Sequence, residues 1–119
     1  MKKNEFGYWR HHWEAYIRDK CKCVYCGFDG TKFENWRQLI LDHVIPKVNK
    51  GEDTLENIAV VCRRCNDNKG DYDPRGKAGK LNLSLTRENL IAKAKEFTKQ
   101  KNEKEQLAFV AMTKEIKGR

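Results

Sequence analysis

Cys23 and Cys26 form one C-x-x-C pair, and Cys62 and Cys65 form a second. A tight turn presenting two thiolates suits tetrahedral Zn²⁺, and two such turns fill four sulfur positions around a single ion. Gly27 follows the first pair, where a residue free to take positive φ lets the chain leave the turn. With all four positions occupied by sulfur, the ion has no open site for substrate and is expected to be a structural staple. Its binding is expected to contribute on the order of 10 kcal/mol to folding at pH 7. Cys21 is left over; C-x4-C spacing would let it compete with Cys23, but the C-x-x-C-G context favours Cys23 and leaves Cys21 a free thiol.

Between the two cysteine pairs stands Asp42-His43, with Pro46 shortly behind. Metal-assisted hydrolysis needs a deprotonated water, charge stabilisation on the group attacked, and help for the leaving atom. An imidazole, with a reference pKa near 6.5, is largely neutral at pH 7–8 and can take the water's proton. Of the three histidines, His11 and His12 sit together near the N-terminus; His43 is the one beside a carboxylate at a strand end, so it is the candidate general base. Asp42 supplies a hard oxygen of the kind Mg²⁺ prefers. Neighbouring side chains on a regular strand point to opposite faces, so both can serve one phosphate only if the strand breaks or twists there. Taken singly, each has a plainer reading: Asp42 as a strand end, His43 as a half-buried polar residue.

Several elements must hold these residues. Leu39–Val44 and Ile58–Val61 read as strands, the first stopped by Pro46 and the second a β-branched run. CRRCNDNKGD should turn into a short helix that Gly70 ends. Residues 5–20 carry aromatics and Ile17 at helical spacing, which predicts an amphipathic helix, and residues 31–39 suggest a short one. The segment PKVNKGEDTLEN between the strands is a loop. The expected organisation is α+β: a domain over 1–72, a linker over 73–85 rich in Pro, Gly and Lys, and a helical extension over 86–117. In that extension Thr86 can cap TRENLIAKAKEF, with Leu90, Ala94 and Phe97 on one face; after the polar run KQKNEKE, QLAFVAMTKEI reads as a second helix.

The string LDHVIPKVNKGEDTLENIAVVCRRCNDNKGD resembles the HNH nuclease motif in its variant with four zinc cysteines. Asp42-His43 with Pro46 behind them, Asn57 just before the second strand, Asn66 directly after the last cysteine, and Lys69 carry that resemblance, which covers roughly residues 20–72. It implies a ββα-metal core (a β-hairpin and a helix around a metal) and an endonuclease that leaves a 5′-phosphate. It assigns the second protein ligand of a catalytic cation to Asn66, where the family often has histidine; an amide oxygen there tilts preference toward Mg²⁺ or Mn²⁺. By the same resemblance Asn57 is not a chemical participant: its amide bridges the loop and holds His43 in orientation. Asn66 could alternatively serve only as a left-handed residue after the knuckle. Lys69, and with it Arg63, Arg64 and Lys47, are candidates to contact backbone phosphates.

Composition bounds the rest. The 119-residue chain is 39% hydrophobic and 35% charged, so its core should be small and helped by a staple. A formal net charge of +8 favours a polyanionic partner, and double-stranded DNA is the expected one. The stretch 75–104 is more basic than the rest, with nine Lys or Arg against three Glu. No stretch approaches the roughly 18 apolar residues that span a bilayer, and the start lacks the apolar run of a secretory signal. A reducing cytoplasm, bacterial and host to a phage gene among other settings, is therefore expected, and there the cysteines are metal ligands and not disulfides. The apolar run LAFVAM could pack on the same domain or serve a homodimer, so monomer and dimer both stay open. Two rival readings are a non-catalytic zinc module that binds nucleic acid and a protein–protein adaptor working through its C-terminal helices.

Overall fold

The computed structural model describes residues 2–76 and 85–119. At its centre, β1 (Leu39–His43) pairs antiparallel with β2 (Ile58–Cys62), in a register that sets Leu39 opposite Cys62 and His43 opposite Ile58. Every residue of β2 is buried, as its run of Ile, Val and Ala would favour. Pairing continues one step past β1, where the Val44 N–H donates to the Asn57 carbonyl at 2.8 Å.

Helix α1 (Arg10–Arg18) lies on β2 and buries Ala15 completely. Its end is tied down by polar groups. Asp19 accepts a hydrogen bond from the Val60 N–H (3.0 Å), while the Arg18 guanidinium holds Asp19 and donates to the Leu55 and Ile58 carbonyls at 2.7 Å each. The helix is shorter than the 5–20 expected. The Asn4 side chain accepts from the N–H groups of Phe6 and Tyr8, Gly7 takes φ 84°, and Lys3 bridges to Trp9. Local Asn-to-backbone bonds of this kind compete with helix formation, and here they win.

A short α2 (Phe33–Trp36) leads into β1, and α3 (Arg63–Lys69) follows directly from β2. Beyond it, α4 (Arg87–Lys117) is one helix of 31 residues where two were expected. The intervening KQKNEKE is polar, yet Lys, Gln and Glu are good helix formers and neither Gly nor Pro interrupts them. Polarity marks only a solvated stretch. Thr86 does cap the helix, its hydroxyl accepting from the Asn89 N–H at 3.1 Å. Leu90, Ala94 and Thr98, spaced by four, bury one face of the first turns, whereas Leu107, Phe109, Met112 and Ile116 near the end are exposed.

Most of the expected linker, 77–84, lies outside the described residues. Its first residues are fastened: Arg75 pairs with Asp73 at 2.8 Å and donates to the Asn49 carbonyl, and Tyr72 stacks on Phe97 of α4 at 4.0 Å. No described helix is long and apolar enough to cross a membrane.

Candidate active site

The four expected sulfurs come together. The Sγ atoms of Cys23, Cys26, Cys62 and Cys65 all lie within 4.8 Å of one another, and Cys26 and Cys62 are 3.6 Å apart. Zn–S bonds of about 2.3 Å require tetrahedral S–S edges of about 3.8 Å, so the cluster fits a structural zinc site. In each turn a backbone N–H donates to the first sulfur: Cys26 N to Cys23 Sγ and Cys65 N to Cys62 Sγ, both at 3.4 Å. The second of these also caps α3, so one sulfur starts the helix and binds the ion. Gly27 takes φ 81° as the chain leaves the first turn. Asn102 reaches over from α4 to donate to Cys65 Sγ at 3.4 Å.

The thiols' acidity reflects their crowding. Hydrogen bonds from Cys62 and Cys65 hold the Cys23 thiol far below the usual range. Those same bonds to Cys23 push Cys62 up to about 11 and raise Cys65 as well. One thiolate is thus solvated by its neighbours, and a divalent cation is what lets all four ionise together. Cys21 lies outside the cluster; burial raises its thiol pKa.

A few residues away, Asp42, His43, Asn66 and Lys47 line one open cleft of about 310 Å³, together with Pro46, Val48, Gly70 and Asp71. β1 brings Asp42 and His43, and α3 brings Asn66. Asp42 is buried: the Tyr25 hydroxyl donates to its Oδ2 at 2.8 Å, and the Lys69 ammonium stands 3.2 Å from the same oxygen. Desolvation raises the Asp42 pKa, against the opposing pull of Lys69 and Tyr25. Among the described residues Oδ1 meets only Lys69, at 3.4 Å, so the carboxylate keeps lone pairs for a cation. Asp42 and Asn66 both line this cleft, and a carboxylate with an amide is an oxygen-donor pair whose chemistry fits Mg²⁺ or Mn²⁺.

His43, the last residue of β1, turns the other way, and its Nε2 lies 3.1 Å from Oδ1 of Asp53. Burial raises the Asp53 pKa, but hydrogen bonds from His11, His43 and His12 outweigh it and bring the carboxyl down to about 2. Asp53 is therefore ionised at neutral pH and can only accept, so Nε2 of His43 carries the proton and Nδ1 is left as the basic nitrogen. Strand alternation separates the partners of Asp42 and His43, yet both residues line the cleft.

The loop between the strands is braced by Asn57. Its Oδ1 accepts from the Ile45 N–H (2.9 Å), and its Nδ2 donates to the carbonyls of Ile45 (3.0 Å) and Glu52 (2.8 Å), bridging both ends of the loop that carries Asp53. These bonds go to backbone, and the His43 ring donates its own to Asp53. Gly51 packs so tightly there that an added Cβ would sit 1.7 Å from the Ile45 carbonyl oxygen.

The basic residues divide. Lys47 is exposed at the cleft. Arg63 is exposed and donates to the Arg37 carbonyl at 3.3 Å. Arg64 lies beside the zinc cysteines: burial lowers its pKa, but the charges of Cys26, Cys62 and Cys65 raise it on balance. Lys69 corrects the expectation of a phosphate contact. Its side chain has no exposed area and serves as the internal counter-charge of Asp42, donating also to the His43 carbonyl at 3.1 Å.

Residues 23–72 match the family of HNH endonucleases. This segment is similar to an HNH domain. Over 64 residues, 53% of its length, the chain is 39% identical to the CRISPR-associated endonuclease Cas9 of Corynebacterium diphtheriae, of whose length it spans 5%. No solved structure matches the chain. The family that these residues match is one of nucleases. Two partners within the matched segment escaped sequence reasoning: Tyr25, inside the first knuckle, and Asp53, in the loop. An acidic residue ten positions after the histidine was the available signal, and on a loop it is indistinguishable from an ordinary turn residue.

Proposed function

We propose that the HNH-like domain hydrolyses phosphodiester bonds of duplex DNA, with His43 as general base and a divalent cation on Asp42 and Asn66. The observation that carries this reading is the shared cleft of Asp42, His43 and Asn66, with His43 held by Asp53 in the tautomer that leaves Nδ1 free to accept a proton. In the reaction, Nδ1 takes a proton from water as the water oxygen bonds to phosphorus; the bond to the 3′-oxygen breaks, and a 5′-phosphate is left. Lys69 opposes the desolvation that raises the Asp42 pKa, and Asn57 keeps the loop of Asp53 closed around Ile45. Mg²⁺ or Mn²⁺, when bound, would supply charge stabilisation at the phosphoryl group and the leaving oxygen. Lys47 at the rim, with the chain's net charge of +8, would favour the polyanion. Four zinc-bound thiolates suit a reducing compartment such as the cytoplasm.

The test is nicking of supercoiled plasmid with Mg²⁺ or Mn²⁺ by the zinc-loaded chain. His43→Ala should lower the rate by at least about 100-fold, the scale of a general base, with fold and zinc content intact. Cleavage by His43→Ala at the wild-type rate would refute the mechanism. Metal-independent binding of DNA with no cleavage by the wild type would instead favour a binding module.

A further inference from the structure

Three histidines converge on Asp53, more than the orientation of His43 requires. We propose that His11, His12 and Asp53 form a further metal site, for a borderline divalent ion such as Zn²⁺ or Co²⁺, on the flank of the His43 cleft. His11 and His12 are adjacent in the first turn of α1, their rings 4.2 Å apart. His11 Nε2 lies 3.1 Å from Asp53 Oδ2, and His12 Nε2 lies 3.3 Å from Oδ1. One ligand atom from each of the three falls within 4.8 Å of the others. Zn–N and Zn–O bonds of about 2.0–2.1 Å give tetrahedral edges of about 3.3 Å, and each imidazole already stands near that spacing from one carboxylate oxygen, His11 from Oδ2 and His12 from Oδ1.

The donor set chooses the ion. Two imidazoles with one carboxylate suit zinc and its neighbours, whereas the oxygen-only preference of Mg²⁺ directs it to the cleft of Asp42 and Asn66. Access is open, since the His12 side chain is 26% exposed and that of Asp53 is 36% exposed. His11 Nδ1 is buried with no hydrogen-bond partner among the described residues, and Nε2 is the nitrogen that meets Asp53. The site is coupled to the cleft by a shared atom. Oδ1 of Asp53 serves both His12 and His43, and an ion bound there competes with His43 for it.

The test uses the full, tag-free chain loaded with one equivalent of zinc on its cysteines, titrated calorimetrically with Zn²⁺ and assayed for metal content after gel filtration. The wild type should take up a second equivalent that millimolar Mg²⁺ does not displace. His12→Ala and Asp53→Asn should weaken it at least tenfold, and Asn66→Ala should leave it unchanged, which separates this site from the cleft. His12→Gln repeats the measurement should the alanine variant fold poorly. Ring-nitrogen NMR should show Nε2 of His11 and His12 losing its proton on zinc addition. A single equivalent in the wild type, or a second one that His12→Ala and His12→Gln retain at full affinity, overturns the proposal. Neither result depends on whether the chain cleaves DNA.

Discussion

Replacing Lys69 with methionine tests the electrostatic arrangement of the site directly. The ammonium and the Asp42 carboxylate stand 3.2 Å apart with 0% and 7% of their side chains exposed. Methionine keeps most of the volume and removes the charge, leaving a buried carboxylate with the Tyr25 hydroxyl as its remaining side-chain donor. Breaking a buried pair from one side costs about 3–5 kcal/mol, because the surviving charge stays desolvated. Loss of the bond to the His43 carbonyl adds to that. Asp42 can escape part of the penalty by taking up a proton, since burial already raises its pKa; each unit of further rise corresponds to about 1.4 kcal/mol. Against a domain stability of about 5–15 kcal/mol, the loss is large. Urea denaturation of zinc-loaded protein should show the midpoint falling by about 1 M or more, for slopes of about 1–3 kcal/mol/M. Asp42→Asn supplies the control: with the carboxylate gone, Lys69→Met should cost much less, giving a positive coupling in the double-mutant cycle. A Lys69→Met protein within about 0.5 kcal/mol of wild type, the range of ordinary surface changes, would refute the reasoning. Strict additivity in the cycle would refute it equally.

The same geometry sets three other outcomes. Cys62→Ser removes a zinc ligand and the cap of α3 together, so the protein should lose its tightly bound zinc and unfold; metal analysis with circular dichroism decides this, and full zinc occupancy in a folded variant contradicts it. Asn66→Ala should keep fold and zinc while lowering Mg²⁺-dependent plasmid nicking by at least about tenfold, an effect that higher Mg²⁺ partly restores. Asn102→Ala, which loses the bond to Cys65 Sγ, should weaken zinc about 10–100-fold in competition with a chelator and leave the cleft residues in place.

The hairpin, the helix after the second knuckle and the sulfur cluster were legible because each rests on local chemistry: a repeated C-x-x-C, a β-branched run, a cysteine that caps the next helix. The nearness of Asp42, His43 and Asn66 is also readable, since a strand end and a helix start joined through paired strands leave little freedom. The hidden features arise from tertiary contact. Lys69 reads as a solvated helix lysine, and only the packing of α3 against β1 sends it inward to Asp42. Asp53 depends on a loop whose closure Asn57 and Gly51 dictate, and its partners His11 and His12 lie some forty residues earlier. The unity of α4 is hidden for another reason: a polar stretch reads as a break, although its residues favour helix.

One short helix couples the staple to the chemistry. Cys65 and Asn66 are neighbours on α3, about 100° apart around its axis, so one faces the sulfur cluster and the other the cleft. Lys69, three residues beyond Asn66, falls on nearly the same face and reaches Asp42. With only seven residues, α3 is too short to persist alone in water; its start is fixed by Cys62 Sγ and its side by α4. Holding the sulfur end therefore holds the oxygen donor and the internal ammonium as one rigid piece. Zinc on the four cysteines would accordingly act on the proposed reaction through position, and damage at the knuckles should reach the cleft without any change in a residue that lines it.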